Sequence, residues 1–162
     1  MPNQPAGINN NPQSNYLHIN NKDALTAGVL NANYFPADGL ICVLTAENYF
    51  AKMVTAISTL GQTNVSVNFW WLGLTSIDAT GELYYSIDGG ITWILALGGL
   101  YNQATWVQET VTNANFDNQA DLRLAFRFAN NVALAGADPA FSVDQIELTV
   151  STQSTPPVAS FT

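Results

Sequence analysis

The sequence predicts an all-β fold, a two-sheet β-sandwich. Three observations carry that expectation. Runs of alternating apolar and polar residues recur along the chain, as where Val65, Val67, Phe69 and Trp71 share one parity and Ser66, Asn68 and Trp70 the other, the period of 2 of a half-buried strand. Turn signals such as Pro36-Ala37-Asp38-Gly39 and Asp88-Gly89-Gly90 separate the runs. Counted this way, roughly eight or nine short strands with little helix add up to a sandwich, and alternation alone leaves the choice between jelly-roll and immunoglobulin-like strand orders open.

The elements follow in chain order. Residues 1–14 are rich in Asn, Pro and Gln and read as a poorly ordered lead-in; the sandwich is expected over 15–150. Tyr16 to Asn20 is the first strand candidate, and Ala24 to Leu30 a short helix or irregular crossing. Gly39 to Leu44 is a continuous apolar run, and Ala46 to Ala51 reads equally as a helical turn or a loop. Lys52 to Leu60 is expected to be a strand. Asn64 to Leu74 follows, with Val67, Phe69 and Trp71 facing the core. Leu83, Tyr85 and Ile87 alternate up to the Asp88-Gly89-Gly90 turn, and the strand resumes at Ile91 to Leu95. Trp106 to Thr112 alternates again. Leu122 to Phe128 forms a strand with Leu124 and Phe126 inward and Arg123 and Arg127 outward, where cross-strand carboxylates can pair with the arginines.

The last strand changes phase. Phe141 and Val143 are odd-numbered whereas Ile146, Leu148 and Val150 are even, so one extra residue must be absorbed near Asp144-Gln145, which a β-bulge does. The predicted core is Val67, Phe69, Trp71, Tyr85, Trp93, Leu124, Phe126 and Ile146. Beyond Val150 the Ser, Thr and Pro content is that of a linker over 151–162.

Composition bounds the function. The chain has 162 residues, 48% of them apolar, enough for one domain with a substantial core. Four basic residues stand against twelve acidic ones, a net charge of −8, which is unsuited to nucleic acid or an anionic membrane. No stretch approaches the length of a membrane-spanning helix, so membrane insertion is not expected. Cys42 is the single cysteine, so neither an intrachain disulfide nor a Cys-based zinc site can form. Few charges with much Asn, Gln, Ser and Thr match extracellular β-domains, and the expected location is secreted or on the cell surface. Residues 1–15 do not make a signal peptide; the sequence then reads as an internal piece of a longer chain with Met1 added for expression.

Ser86-Ile87-Asp88-Gly89-Gly90-Ile91-Thr92-Trp93 resembles the Asp-box, a hairpin motif of sialidases, reelin repeats and many secreted β-domains, and its expected role is structural, with Trp93 packed beneath the turn. The stretches Asn15 to Ile19, Asn64 to Trp71, Tyr84 to Trp93, Trp106, Asp121 to Asn131 and Asp138 to Ile146 are together similar to a MAM-like or jelly-roll domain of large secreted and cell-surface proteins of gliding bacteria. Pro156 to Thr162 is similar to the opening of a PKD domain. What the resemblance implies is jelly-roll topology and a structural Ca²⁺ beside Asp144, although Gln145 stands where the family has a second acidic residue. Asp23 and Asp138 lie in turns that could converge with Asp144, and Ca²⁺ takes six to eight oxygen ligands of this kind.

The expected function is a non-catalytic accessory or adhesion module of a secreted multidomain protein, with glycans or cell-surface and protein partners. His18 is the sole histidine, and no nucleophile elbow or phosphate-binding glycine loop is present; the chain is not expected to be an enzyme. A carbohydrate platform needs aromatic faces in the open with polar neighbours, and the outward parity of Trp70, Tyr84 and Asn68 makes them the candidate ligand-binding residues. The alternative is a carboxylate-dependent glycoside hydrolase. A sialidase in particular would need several propeller blades and an arginine cluster.

Overall fold

The computed structural model describes residues 15–19, 47–130 and 140–151. Eight strands lie among them: β1 (Leu17–Ile19), β2 (Glu47–Lys52), β3 (Val65–Gly73), β4 (Ala79–Ser86), β5 (Ile94–Leu100), β6 (Gln103–Thr112), β7 (Arg123–Asn130) and β8 (Phe141–Val150). They form two four-stranded sheets, in the orders β1-β8-β3-β6 and β2-β7-β4-β5, and every pairing is antiparallel. Successive strands alternate between the sheets except for the β4–β5 hairpin. This is the order of an eight-stranded jelly roll. The expected all-β sandwich is present.

The core lies between the sheets because one parity of each strand is apolar. Val65, Val67, Phe69 and Trp71 of β3 meet Leu83 and Tyr85 of β4, Leu124, Phe126 and Phe128 of β7, and Phe141 and Val143 of β8. Phe69 packs edge-on against Phe126 with centroids 5.1 Å apart. Each such side chain contributes about 1.5–3 kcal/mol by burial. Gly81 is needed where it stands, since a Cβ there would overlap the Phe141 ring. One end of the sandwich is closed by the 3₁₀ turn Ala114–Phe116, whose Phe116 packs edge-on against Tyr85. Beside it, the Asp117 carboxylate accepts hydrogen bonds from the amides of Asn64 and Val65 and so fixes the start of β3.

The phase change expected in the last strand is a bulge at that point. Between Asn68↔Glu147 and Trp70↔Asp144, β3 advances two residues while β8 advances three, and Gln145 takes the left-handed conformation at φ 48°. Four expectations need correction. Ala46 to Ala51, expected as a helical turn or a loop, contributes Glu47 to Ala51 to strand β2. Lys52 to Leu60 is not a strand: β2 ends at Lys52, and the chain then follows β7 only through scattered backbone bonds such as Met53 to Leu124 and Ile57 to Leu122. Ile146 points between the sheets as its parity requires, yet it is 42% exposed. Among the described residues β1 covers only positions 141–143 of β8, so Ile146 lines an open apolar cleft of about 230 Å³ with Leu17, Ala51, Met53 and Phe126. Trp93 is half-buried and outside the core, because β5 begins only at Ile94 and Ile91 is 85% exposed. Residues 20–46, with Ala24 to Leu30 and Gly39 to Leu44, lie outside the described residues, as does 152–162 with the PKD-like stretch.

Candidate functional site

The outer face of the β2-β7-β4-β5 sheet carries a compact group of rings and charges. Tyr49, Ala51 and Met53 pack against the core, so alternation turns Asn48, Phe50 and Lys52 outward. Glu82 and Tyr84 on β4 and Arg123 and Arg127 on β7 are outward for the same reason. Register then brings them together. Phe50, Arg127 and Glu82 form one cross-strand row, and Lys52, Ala125, Tyr84 and Leu95 the next. Ala125, short and fully covered, leaves room over the sheet for the longer side chains beside it.

Arg127 is the hub of this face. Its Nη1 donates to Glu82 Oε2 at 2.7 Å and to Tyr84 Oη at 3.0 Å, and its Nε donates to Asn48 Oδ1 at 2.6 Å. The guanidinium carbon lies 5.6 Å from the Phe50 ring centre and 5.9 Å from that of Tyr84, within reach of a cation–π attraction. Phe50 meets Tyr84 edge-on at 5.3 Å. Burial and the hydrogen bonds of Glu82 push the Tyr84 hydroxyl above the ordinary tyrosine pKa, so it stays protonated. Lys52 Nζ lies 5.1 Å from the centre of Phe50 and 5.1 Å from that of Trp93. Three rings and two cations thus interleave on one surface.

The hairpin of the Asp-box-like stretch Ser86 to Trp93 holds Trp93 at the border of that surface. Asp88 accepts from the amides of Ile91 and Thr92, and the Ser86 hydroxyl donates to Asp88 at 2.7 Å while accepting from Gly90. Gly89 and Gly90 take φ of 79° and 85°, which their lack of a Cβ permits. Trp93 Nε1 donates to the Gly90 carbonyl at 2.9 Å. Those hydrogen bonds, led by the one from the Thr92 amide, lower the Asp88 carboxyl to a pKa of about 2. The motif acts as a structural clasp.

The sequence-expected site residues do not all meet. Tyr84 belongs to the face just described. Trp70 and Asn68 lie on β3, whose outer side is the opposite surface of the sandwich. There Asn68 is held by neighbours, donating to Thr149 Oγ1 at 2.8 Å and accepting from Thr110 Oγ1 at 2.7 Å. Trp70 is half-buried and packs against a cluster of Leu72 and Trp106, with Tyr16 edge-on to Trp106 at 5.4 Å. Asp144 is 7% exposed, and its Oδ1 accepts from the Gln145 amide at 2.7 Å, capping the bulge. Asp23 and Asp138 lie outside the described residues, and among the described residues no group of three His, Cys, Asp or Glu side chains could hold a metal ion.

His18 and Ser142 also share this second face, with Nδ1 and Oγ 2.8 Å apart. Burial lowers the His18 pKa to about 4. Ser142 is wholly buried and cannot meet a substrate in this arrangement, so the pair is not a serine nucleophile with its base. No protein-family model matches the chain, and no curated protein matches it in sequence.

Residues that sequence reasoning missed are Asn48, Phe50, Lys52 and Trp93 as members of one surface. The alternation of Asn48, Phe50 and Lys52 against Tyr49, Ala51 and Met53 was the available signal. Expected as a helical turn or loop followed by a strand from Lys52, that stretch could not show which side chains it presents.

Proposed function

We propose that this chain is a non-catalytic accessory or adhesion module of a secreted or cell-surface protein, and that it takes glycans on the outer face of the β2-β7-β4-β5 sheet. The observation that carries the reading is the set of Phe50, Tyr84 and Trp93 around Arg127 and Lys52. Sugar rings present C–H groups to aromatic surfaces and hydroxyls to polar side chains, and this face offers both kinds of group within one cross-strand neighbourhood. Phe50 is 37% exposed, open enough to be covered by a ligand.

The hydrolase alternative asks for two carboxyl groups flanking a bond, one of them able to donate a proton. Glu82, central to this face, is instead committed to Arg127. A panel of chromogenic glycosides separates the two readings: turnover that disappears in Glu82→Gln overturns the accessory reading. Binding itself is tested on a glycan array with the parent, Phe50→Ala and Tyr84→Ala. Retention of a bound glycan by both variants removes this face as the site. The calcium expectation at Asp144, with Asp138 and Asp23, stays within the proposal, and calorimetric titration of chelator-treated protein checks it; no heat and no calcium-dependent rise in Tm discard it.

A further inference from the structure

The described basic residues are Lys52, Arg123 and Arg127, and all three sit on the outer face of the β2-β7-β4-β5 sheet, in a chain whose net charge is −8. Their commitments differ. Arg123 donates from Nε and Nη2 to Asp121, and Arg127 pairs with Glu82. Lys52 forms no ion pair among the described residues, and its Nζ rests against the Phe50 and Trp93 rings. Arg127 uses Nε and Nη1, which leaves Nη2 available as a donor. Two cationic groups with open donors therefore flank the one exposed ring of the patch.

Building on the glycan-module reading, we infer that this face selects polysaccharides bearing a carboxylate on the sugar, the uronate class. Because Lys52 and Arg127 lie over the Phe50 ring, a pyranose packing against the exposed part of Phe50 brings its ring substituent beside Lys52 Nζ and Arg127 Nη2. A carboxylate accepts charge-assisted hydrogen bonds from both, about twice as strong as those between neutral groups. Asn48 and Glu82 remain beside Arg127 for hydroxyls. A neutral sugar would leave the Lys52 ammonium without an anion. Glu147, which pairs with outward Asn68 on the opposite face, stands a sheet spacing of roughly 10 Å or more away. That distance is comparable to the screening length at about 0.1 M salt; of the nearer carboxylates, Asp121 and Glu82 are paired with Arg123 and Arg127 and Asp88 accepts turn amides, so Lys52 carries the unpaired charge of this face.

The test is affinity gel electrophoresis and calorimetry with polygalacturonate, neutral galactan and dextran sulfate as probes, at low and moderate salt. Lys52→Met, which keeps most of the apolar stem, is the variant, and a thermal melt confirms that it folds. The expected result is preferential binding of polygalacturonate, weakened by salt and reduced about tenfold in Lys52→Met, with any galactan binding unchanged. Equal affinity for galactan, equal affinity for dextran sulfate, or full retention in Lys52→Met overturns carboxylate selection. Binding only to neutral glycans on an array defeats the inference and leaves the glycan-module reading standing; binding to no glycan defeats that reading as well.

Discussion

On the outer face of the β1-β8-β3-β6 sheet, several polar side chains pair with one another, although the buried His18 Nε2 and Trp106 Nε1 have no hydrogen-bond partner among the described residues. Asn68 is held between Thr110 and Thr149, the Ser66 and Thr112 hydroxyls lie 2.7 Å apart, and His18 pairs with Ser142. On the outer face of the β2-β7-β4-β5 sheet the arrangement is more open: Phe50 is 37% exposed, Lys52 has rings but no anion among the described residues, and Arg127 keeps donor capacity at Nη2. Both faces come from the same strand alternation over one core. The comparison teaches that outward parity alone does not make a binding surface. What matters is whether the outward groups have already found partners within the sheet, since a hydrogen bond that must first be broken returns little on binding.

The largest expected effect tests whether the two faces rest on one cooperative unit. Trp71 is 7% exposed within the core, packed near Phe141, and Trp71→Ala is expected to cost about 3–5 kcal/mol. Gly81→Val should be comparably damaging because the new side chain collides with the Phe141 ring. Denaturant unfolding followed by tryptophan fluorescence, alongside hydrogen exchange, reads both faces. A melt within a few degrees of the parent, or loss of protection in one sheet only, would break the picture of a shared core.

Next comes the histidine that belongs to the closed face alone. His18 titrates near 4 in the fold, through burial, against about 6.5 when unfolded. Between those values the unfolded chain binds the extra proton, so stability falls as pH drops from 6.5 towards 4, by up to roughly 3 kcal/mol. His18→Gln should flatten this part of the profile. An unchanged slope in the variant would mean that His18 is not the group responsible.

The hairpin beside the open face responds at lower pH and more weakly. Asp88 is held at about 2 from a usual 3.8, so its contribution is complete above 3.8 and fades as pH falls towards 2. Asp88→Ala is expected to lower Tm by less than the core lesions, and to loosen Trp93 through the turn. Trp93 emission that stays fixed while Tm falls would show that the clasp and the ring are independent.

Much of this architecture was legible in the sequence, for identifiable reasons. Strict parity in 65–71 and 122–128 set the inner faces of β3 and β7, and the odd-to-even change after Val143 placed the bulge at Gln145. The outward arginines were also legible, and Arg127 found its cross-strand partner in Glu82. Less of the candidate site could be read. Trp70, Asn68 and Tyr84 share outward parity, but which outer face each strand presents depends on the strand order β1-β8-β3-β6 and β2-β7-β4-β5, which alternation does not encode. Phe50 was hidden because Asn48 to Lys52 is short and lies beside an irregular stretch. Trp93 was misplaced because its Nε1 bond to the Gly90 carbonyl keeps it in the turn rather than in β5.

The smallest expected effect on stability gives the sharpest contrast between the faces. Phe50→Ala removes a partly exposed ring, and Asn68→Ala removes two surface hydrogen bonds, so each should cost about 1 kcal/mol or less. Their consequences for ligand should diverge. Phe50 supplies the exposed surface on which a sugar would lie and touches Tyr84, Arg127 and Lys52, so its removal should abolish detectable glycan binding while the melt stays near that of the parent. Asn68 engages Thr110 and Thr149 on the other side of the sandwich, and its removal should leave binding intact. Measured together by gel affinity and thermal melt, the pair assigns the ligand to one surface. Loss of binding in Asn68→Ala with retention in Phe50→Ala would reverse the assignment and return the site to the face of Trp70.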